Sequence, residues 1–301
     1  MSAPVAASGR LPPWLKLRFR ATGRHGQVDA WLRAGNLHTV CESAHCPNRQ
    51  ECFNRGTTTV MILGDRCTRA CRFCAVTRGV PLPPDPDEPR RVAELAAKLG
   101  LRHVVVTSVT RDDLPDGGAG LFAETIRQVR ARCAARVEVL TPDFLGRRES
   151  LELVLNAQPD VFNHNLETVR RLQAIIRPQA DYDRSLSVLA QAAAWRPALV
   201  VKSGLMAGLG ETDDELREAL ADLYRVGCRA LTLGQYLAPS AAHHPVARYV
   251  TPARFEDYAA WARTVGFTRV ASAPLVRSSY QAAELLADEA LDGPRRGRGR
   301  G

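Results

Sequence analysis

Hydrophobic and polar positions along this chain form two alternating kinds of segment. Short β-branched and apolar runs are typical of buried strands, and they occur at Thr58–Leu63, His103–Ser108, Arg136–Leu140, Asp160–His164, Leu199–Ser203 and Ala230–Gln235. Apolar residues at helical spacing predict helices at Gln27–Ala34, Pro89–Leu99, Gly120–Cys133, Arg148–Asn156, Thr168–Ile176, Asp183–Trp195, Asp213–Val226, Pro252–Val265 and Gln281–Leu291.

This alternation predicts an α/β fold. Strands that alternate with helices pair in parallel through right-handed crossovers. Six such units favour a partial TIM-like (β/α)6 barrel with N-terminal and C-terminal extensions, and a doubly wound sheet is the alternative. The corresponding divisions are an N-terminal extension (1–56), the barrel (57–272), a C-terminal segment (273–291) and a disordered basic Gly/Arg tail (292–301).

Composition and charge narrow the class of protein. The 301 residues are 45% hydrophobic and 24% charged, as in soluble globular proteins. No apolar run reaches the roughly 20 residues of a membrane span, and the first ten residues lack the pattern of a secretory signal. We therefore expect a cytoplasmic protein that does not contact membranes.

The net charge of +9 suits an acidic protein partner or an anionic cofactor. The short basic tail is only a weak argument for nucleic-acid binding.

The eight cysteines are unevenly distributed, with six of them between positions 41 and 74. In a reducing cytoplasm, so dense a cluster predicts metal binding rather than disulfides. Cys133 and Cys228 lie apart and are predicted to be small buried hydrophobic residues. The other six form two triplets, which we call the first triplet (Cys41, Cys46, Cys52) and the second triplet (Cys67, Cys71, Cys74).

The second triplet has the spacing Cys-x3-Cys-x2-Cys and directly follows a predicted strand. Three thiolates on a four-iron cluster leave one iron open, and an open metal position is typical of a reactive site. Arg69 and Arg72 would offset negative charge there, and Phe73 offers a flat face to a heteroaromatic ring. The first triplet could hold a second iron–sulfur cluster, or zinc with His45, and its spacing leaves both possibilities open.

Polar motifs follow three of the predicted strands, at Thr107–Asp113, Asn163–Glu167 and Ser203–Glu211. The carboxyl ends of barrel strands carry active sites, so these motifs predict one shared site. Structural roles compete with this interpretation. Asp112 and Asp113 could stabilise a turn, and Thr212 with Glu215 forms a capping box that begins a helix.

Together these motifs resemble a known family. The second triplet, with Phe73 before its last cysteine, is similar to the signature of radical S-adenosylmethionine enzymes. The whole set resembles the lipoyl synthase family within that superfamily, over about Pro13 to about Ala283. The stretches that carry the likeness are Cys41–Cys52, Thr107–Gly118, Asn163–Thr168, Lys202–Met206 and Val276–Tyr280.

The resemblance implies specific roles for residues of this chain. The second triplet would bind the [4Fe–4S] cluster that cleaves S-adenosylmethionine to a 5′-deoxyadenosyl radical. The first triplet would bind an auxiliary [4Fe–4S] cluster together with Ser279, Ser278 being the less favoured ligand. Arg277, Ser278 and Tyr280 would support the ligand loop. Contacts to S-adenosylmethionine are expected at Phe73, Thr107, Asn163, Asn165, Lys202 and Met206.

The implied reaction is a sulfur insertion. Two sulfur atoms from the sacrificial auxiliary cluster would enter C6 and C8 of an octanoyl chain on a carrier-protein lysine, which forms the lipoyl group. Implied partners are octanoylated lipoyl domains or glycine-cleavage H protein, an acidic electron donor such as ferredoxin or flavodoxin, and an iron–sulfur carrier that rebuilds the cluster. The alternatives are another radical sulfur-transferring enzyme such as a methylthiotransferase, and a non-catalytic zinc or electron-transfer module.

Overall fold

A computed structural model describes residues 5–6, 11–16, 25–55 and 58–285 of the chain. The predicted disordered tail at 292–301 and the end of the predicted helix Gln281–Leu291 lie outside the described residues. The strands are β1 (Val5–Ala6), β2 (His38–Thr39), β3 (Thr59–Ile62), β4 (Arg66–Cys67), β5 (Thr77–Arg78), β6 (His103–Ser108), β7 (Arg136–Leu140), β8 (Val161–Asn163), β9 (Val200–Ala207), β10 (Ala230–Gln235), β11 (Arg248–Tyr249) and β12 (Arg269–Ser272).

Helices fill the intervals between the strands. The α-helices are α1 (His25–Ala34), α2 (Val40–Ser43), α3 (Arg49–Asn54), α4 (Glu88–Leu99), α5 (Ala119–Arg132), α6 (Arg148–Asn156), α7 (Gln173–Ile176), α8 (Tyr182–Trp195), α9 (Asp213–Arg225), α10 (Pro252–Val265) and α11 (Ala282–Leu285). Short 3₁₀ helices occur at Pro13–Leu15, Phe144–Gly146 and Arg170–Leu172. No helix in the described ranges is both long and apolar enough to cross a membrane.

One sheet of eight strands, in the order β12-β10-β9-β8-β7-β6-β3-β2, forms the centre of the fold. Its strands pair in parallel except for β2, which is antiparallel to β3. The predicted α/β fold, an incomplete (β/α) barrel, is confirmed. The structure adds β12 as a seventh parallel strand, which the sequence analysis missed because all four of its residues are only half-buried and form no apolar run.

Gly204 interrupts the apolar pattern of β9, so the predicted strand Leu199–Ser203 ends too early. In the structure the strand continues to Ala207. A Cβ at position 204 would lie 2.7 Å from Asn165 Oδ1 and 2.9 Å from Thr232 Oγ1, so only glycine fits between these side chains. The predicted helix Thr168–Ile176 is shorter than expected, being a 3₁₀ turn followed by the single turn of α7.

Two segments that are far apart in sequence meet beside the sheet. Helices α2 and α3 contain two cysteines of the first triplet, Cys41 and Cys52. The Asn48 amide just before α3 donates a hydrogen bond to the Leu275 carbonyl (2.7 Å). This contact joins the N-terminal extension to the segment that carries Ser279, although the two are far apart in sequence.

Candidate functional site

A cavity of about 500 Å³ opens at the carboxyl ends of the parallel strands. All three cysteines of the second triplet line it on one side. Cys41, Cys46 and Ser279 line it on another, so two cysteines of the first triplet face the same space as the second triplet. The predicted convergence of polar strand ends is also observed, because Thr107, Asn165 and Met206 are on its wall.

A second cavity of about 120 Å³ lies beside the first and is lined by Cys41, Cys46, Cys52 and Ser279. The first triplet and Ser279, which are far apart in sequence, thus line one small cavity. Tyr280 also lines this cavity. The sequence predicted these residues as one group, and the structure brings them to one cavity.

The thiols of both triplets are free of disulfides. Burial raises the pKa of Cys41 to about 11 and that of Cys74 to about 12, and it also raises the pKa of Cys71. A metal centre that binds these thiols must therefore displace their protons. Among the described residues, no three His, Cys, Asp or Glu side chains converge on one ion position. The thiols instead line the walls of the two cavities.

Arg69 anchors the loop that carries the second triplet. Its guanidinium donates to Asp112 Oδ2 (2.7 Å) and to Asp143 Oδ1 (2.6 Å), and its side chain is only 3% exposed. Burial alone would raise the pKa of Asp143, but Arg69 outweighs it and holds that pKa at about 2. The positive charge of Arg69 is therefore balanced by the carboxylates of Asp112 and Asp143. Arg72 in the same loop is exposed.

The loop that contains His243 and His244 forms hydrogen bonds with the backbone of the loop that carries the second triplet. The His244 amide donates to the Arg72 carbonyl (2.9 Å), and the His243 ring donates to the Cys74 carbonyl (3.1 Å). The His244 ring likewise donates to the Leu209 carbonyl (3.0 Å). The two histidines therefore fix peptide groups around the second triplet.

The expected cofactor contacts fall into two groups. Phe73, Thr107, Asn165 and Met206 line the large cavity. Lys202 and Asn163 are not among its lining residues. Their side chains are fully buried, and both bind Glu138, a residue that the sequence analysis did not single out.

Glu138 is the centre of a buried polar network inside the sheet. Its Oε1 accepts from Lys202 Nζ (2.8 Å) and Asn163 Nδ2 (3.1 Å), and its Oε2 lies 3.0 Å from His103 Nε2. Burial alone would raise the pKa of Glu138, but the Lys202 ammonium and the His103 hydrogen bond hold it at about 2. Glu138 is therefore ionised at neutral pH. A single glutamate within an apolar strand carried no sequence signal for this role.

Two further charged residues on the large cavity were missed as site residues, Glu167 and Arg177. Glu167 accepts from Asn165 Nδ2 (3.0 Å), and burial raises its pKa. The Arg177 guanidinium donates to the carbonyls of Asn165 and Leu166 (both 3.2 Å). Glu167 is the last residue of the polar motif Asn163–Glu167, which the sequence predicted as part of the site. Arg177 follows α7, and no sequence motif surrounds it.

The residues around the two cavities fit the groups that the sequence motifs imply. Three buried polar atoms on the large cavity have no hydrogen-bond partner among the described residues: Ser108 Oγ, Thr141 Oγ1 and Asn165 Oδ1. Such atoms are expected to bind a polar occupant. Together with two thiol triplets, they form a donor set suited to thiolate-bound iron–sulfur clusters and a polar nucleoside cofactor.

Comparisons with known proteins agree with this geometry. The family described as the Radical SAM superfamily matches residues 61–223. A lipoyl synthase of Caldanaerobacter subterraneus subsp. tengcongensis is 54% identical over 91% of this chain and 96% of its own. A lipoyl synthase of Methylococcus capsulatus is 57% identical over 92% of this chain and 87% of its own.

Solved structures show the same fold. The hydrogenase maturase HydG from Carboxydothermus hydrogenoformans matches with a TM-score of 0.55, over 82% of this chain and 64% of that one. The two sequences are only 13% identical, so this likeness concerns the fold alone.

Proposed function

This chain belongs to the lipoyl synthase family of radical S-adenosylmethionine enzymes, and from that membership we propose how its own residues carry out the reaction. It is a sulfurtransferase of lipoate biosynthesis that uses S-adenosylmethionine and two [4Fe–4S] clusters. When bound, these groups supply a 5′-deoxyadenosyl radical and the sulfur atoms. The observation that supports the residue assignments is the cavity of about 500 Å³ that the second triplet lines together with Cys41, Cys46 and Ser279.

The second triplet holds the radical-generating cluster in this proposal. Its loop is fixed on one side by the buried pairing of Arg69 with Asp112 and Asp143, and on the other by His243 and His244. A loop held at both its side chains and its carbonyls keeps an open iron position in one place. Preorganisation of this kind is what a site for a reactive radical requires.

The first triplet and Ser279 hold the auxiliary cluster. All four residues line the cavity of about 120 Å³, and Arg277 lines it as well. Burial lowers the pKa of Arg277, and a thiolate at Cys46 would raise it. A cation in this position offsets the negative charge of thiolates and cluster. A serine oxygen is a harder ligand than a thiolate, which suits a bond that must break.

S-adenosylmethionine binds in the large cavity, against Phe73, Thr107, Asn165 and Met206. Glu167 and Arg177 are the charged groups on the same wall that can pair with the ammonium and carboxylate of its methionyl part. Asn163 and Lys202 act from behind this wall, by holding Glu138 within the sheet.

The octanoyl chain enters the same cavity. Apolar side chains on its wall, among them Val40, Met61 and Leu140, offer a surface for the chain between the two triplets. The octanoylated protein is a lipoyl domain or H protein. Further partners are an acidic electron donor such as ferredoxin or flavodoxin, and an iron–sulfur carrier that rebuilds the auxiliary cluster. We place the enzyme in the cytoplasm, where its thiols stay reduced.

The test is an anaerobic incubation with S-adenosylmethionine, a reductant and an octanoyl-lysyl peptide, followed by mass analysis for two added sulfurs. Reconstituted protein should carry about eight irons. The Cys71→Ala variant should produce neither 5′-deoxyadenosine nor lipoyl peptide. The Cys52→Ala variant should still produce 5′-deoxyadenosine but insert no sulfur. A colourless wild-type protein with stoichiometric zinc would rule out the proposal.

A further inference from the structure

Ser278 and Ser279 lie in a turn whose tip makes very few hydrogen bonds. The Tyr280 amide donates to the Arg277 carbonyl (3.0 Å), which closes the turn around the two serines. Both serines are half-buried and line the large cavity. Among the described residues they form one hydrogen bond, which Asn165 Nδ2 donates to Ser278 Oγ (2.6 Å). The position of the tip therefore depends on a side chain that lies 113 positions away in sequence.

The two ends of this turn are held independently of Asn165. On the N-terminal side the backbone packs directly on β10, because a Cβ at Gly234 would lie 2.0 Å from the Val276 carbonyl oxygen. On the C-terminal side the Tyr280 hydroxyl donates to Glu51 Oε1 (3.1 Å). The contact with Asn165 thus falls between two fixed points, where the chain would otherwise be free to shift.

The Asn165 side chain is itself fixed on the barrel. Its Nδ2 also donates to Glu167 Oε1 (3.0 Å), and an amide nitrogen carries two hydrogens, one for each acceptor. Its Oδ1 lies against Gly204, where a Cβ would come within 2.7 Å of it. Arg177 holds the backbone by donating to the Asn165 carbonyl (3.2 Å). The amide therefore meets Ser278 in one orientation.

We propose that Asn165 is a positioning residue that keeps Ser279 within reach of the fourth iron of the auxiliary cluster, by binding the neighbouring Ser278. Groups that hydrogen-bond beside a metal ligand orient it, and losing them weakens the metal site. The same amide binds Glu167, which the proposed function places against S-adenosylmethionine. Asn165 thus connects the wall of the cofactor cavity with the ligand that must leave the auxiliary cluster. This inference rests on the proposed function, and it makes Ser278 the residue that holds the turn.

The first test measures how fast the auxiliary cluster loses iron. Every full-length protein in it, the parent included, carries Cys67→Ala, Cys71→Ala and Cys74→Ala, so that iron is read from the first triplet alone. After anaerobic reconstitution, Ser278→Val should release its fourth iron to a chelator roughly fivefold faster than the parent, as expected when one hydrogen bond is lost. Ser278→Thr, which has the shape of valine but keeps the hydroxyl, should release iron at the parent rate.

A double variant then asks whether the two residues act through one bond. Asn165→Ala should speed iron release at least as much as Ser278→Val does. Asn165→Ala/Ser278→Val should be no faster than Asn165→Ala, because both changes remove the same hydrogen bond. Effects that multiply in the double variant would overturn the proposal. Equal release rates for Ser278→Val and Ser278→Thr would do the same.

Hydrogen exchange gives a second readout, which needs no cluster. In iron-free protein the amides of residues 277–280 should exchange several-fold faster in Ser278→Val than in Ser278→Thr. The amides of β8 should exchange at the same rate in both variants. Faster exchange in both regions would mean a general loss of stability, and unchanged exchange at 277–280 would mean that the turn does not need this bond. Either result would reject the positioning role.

The outcomes separate this inference from the proposed function. Wild-type protein that inserts sulfur, together with parent-like iron release in Ser278→Val, would leave the function standing and reject the role of Asn165. Wild-type protein with eight irons that forms no lipoyl peptide would reject the function, and the release rates would still decide on Asn165. If the first triplet bound no iron, the function would fail and hydrogen exchange would still decide whether Asn165 holds the turn.

Discussion

The Tyr280 hydroxyl donates a hydrogen bond to Glu51 Oε1 (3.1 Å), across 229 positions of sequence. Glu51 precedes Cys52, and Tyr280 follows Ser279. The contact therefore joins the neighbours of two proposed ligands of the auxiliary cluster. Burial and this hydrogen bond raise the pKa of Tyr280 to about 12, so the hydroxyl remains a donor at all physiological pH values.

Tyr280→Phe should weaken the contact between the Tyr280 segment and the Glu51 segment. Loss of one hydrogen bond is expected to cost about 1 kcal/mol in the free energy of unfolding and to speed the loss of auxiliary iron to a chelator. The measurement is iron release over time under anaerobic conditions. Tyr249→Phe, at a tyrosine with no hydroxyl hydrogen bond among the described residues, is the control. Equal release rates for the two variants would contradict the prediction.

Arg69→Gln should loosen the loop of the second triplet. Removing one partner of a buried ion pair leaves Asp143 with Arg184 (2.9 Å) as its one ion-pair partner among the described residues, and we expect a loss of about 3 kcal/mol in the free energy of unfolding. Iron analysis should show that the second triplet loses its cluster first, so that about four irons remain. Arg72→Gln, at the exposed arginine of the same loop, should retain all of them. Loss of iron in both variants alike would argue against an anchoring role for Arg69.

Ser279→Cys should keep the auxiliary cluster and impair sulfur transfer. A thiolate binds iron more strongly than the serine oxygen does, so the fourth iron is released less easily, and lipoyl formation should fall roughly tenfold or more. Production of 5′-deoxyadenosine should continue. Ser278→Cys is the matched variant, because Ser278 Oγ accepts a hydrogen bond from Asn165 (2.6 Å) and is the less favoured ligand. Undiminished lipoyl formation in Ser279→Cys would show that Ser279 is not the labile ligand.

The stability of the fold should fall as the pH drops below about 6.5, because of His164. Both of its ring nitrogens are hydrogen-bonded inside the protein, to the Thr141 carbonyl (2.9 Å) and Ser185 Oγ (3.1 Å). Burial lowers its pKa from 6.5 to about 4. Below about pH 6.5, His164 therefore binds a proton in the unfolded chain but not in the folded chain. Lowering the pH thus favours unfolding.

From pH 7.5 to 5.5 this linkage amounts to about 1.4 kcal/mol in the free energy of unfolding. Anaerobic denaturant titrations at the two pH values measure it, and the His164→Gln variant should show a smaller difference by about that amount. The same pH dependence in wild type and variant would mean that other groups are responsible.

Reduction by an acidic electron donor should depend on ionic strength. Arg66, Arg72 and Arg78 are exposed near the second triplet, and none has an ion-pair partner in the described part of the chain. Charge attraction speeds association, and salt screens it. Stopped-flow reduction should therefore slow several-fold between 50 and 300 mM salt, and Arg72→Glu should slow it at low salt. A rate that salt does not change would contradict this steering.

Much of the fold follows from local patterns in the sequence. Three of the predicted strands, at His103–Ser108, Arg136–Leu140 and Ala230–Gln235, have the observed bounds, because most of their central residues are β-branched or apolar. The capping box of Thr212 and Glu215 is present at the start of α9. Errors occur where local signals are weak, as at the half-buried edge strand β12 and in β9 beyond Gly204.

The sequence by itself determined the alternation of strands and helices and the two cysteine triplets, because apolar periodicity and ligand spacing are properties of short segments. Only the tertiary structure decided which distant side chains meet. Lys202 and Glu138 are 64 positions apart, and the register of four neighbouring strands brings them together with His103 and Asn163. Ser279 likewise joins the first triplet only because the segment around Leu275 packs beside the segment around Asn48. Contacts between residues that are distant in sequence depend on strand order and packing, which no local sequence pattern specifies.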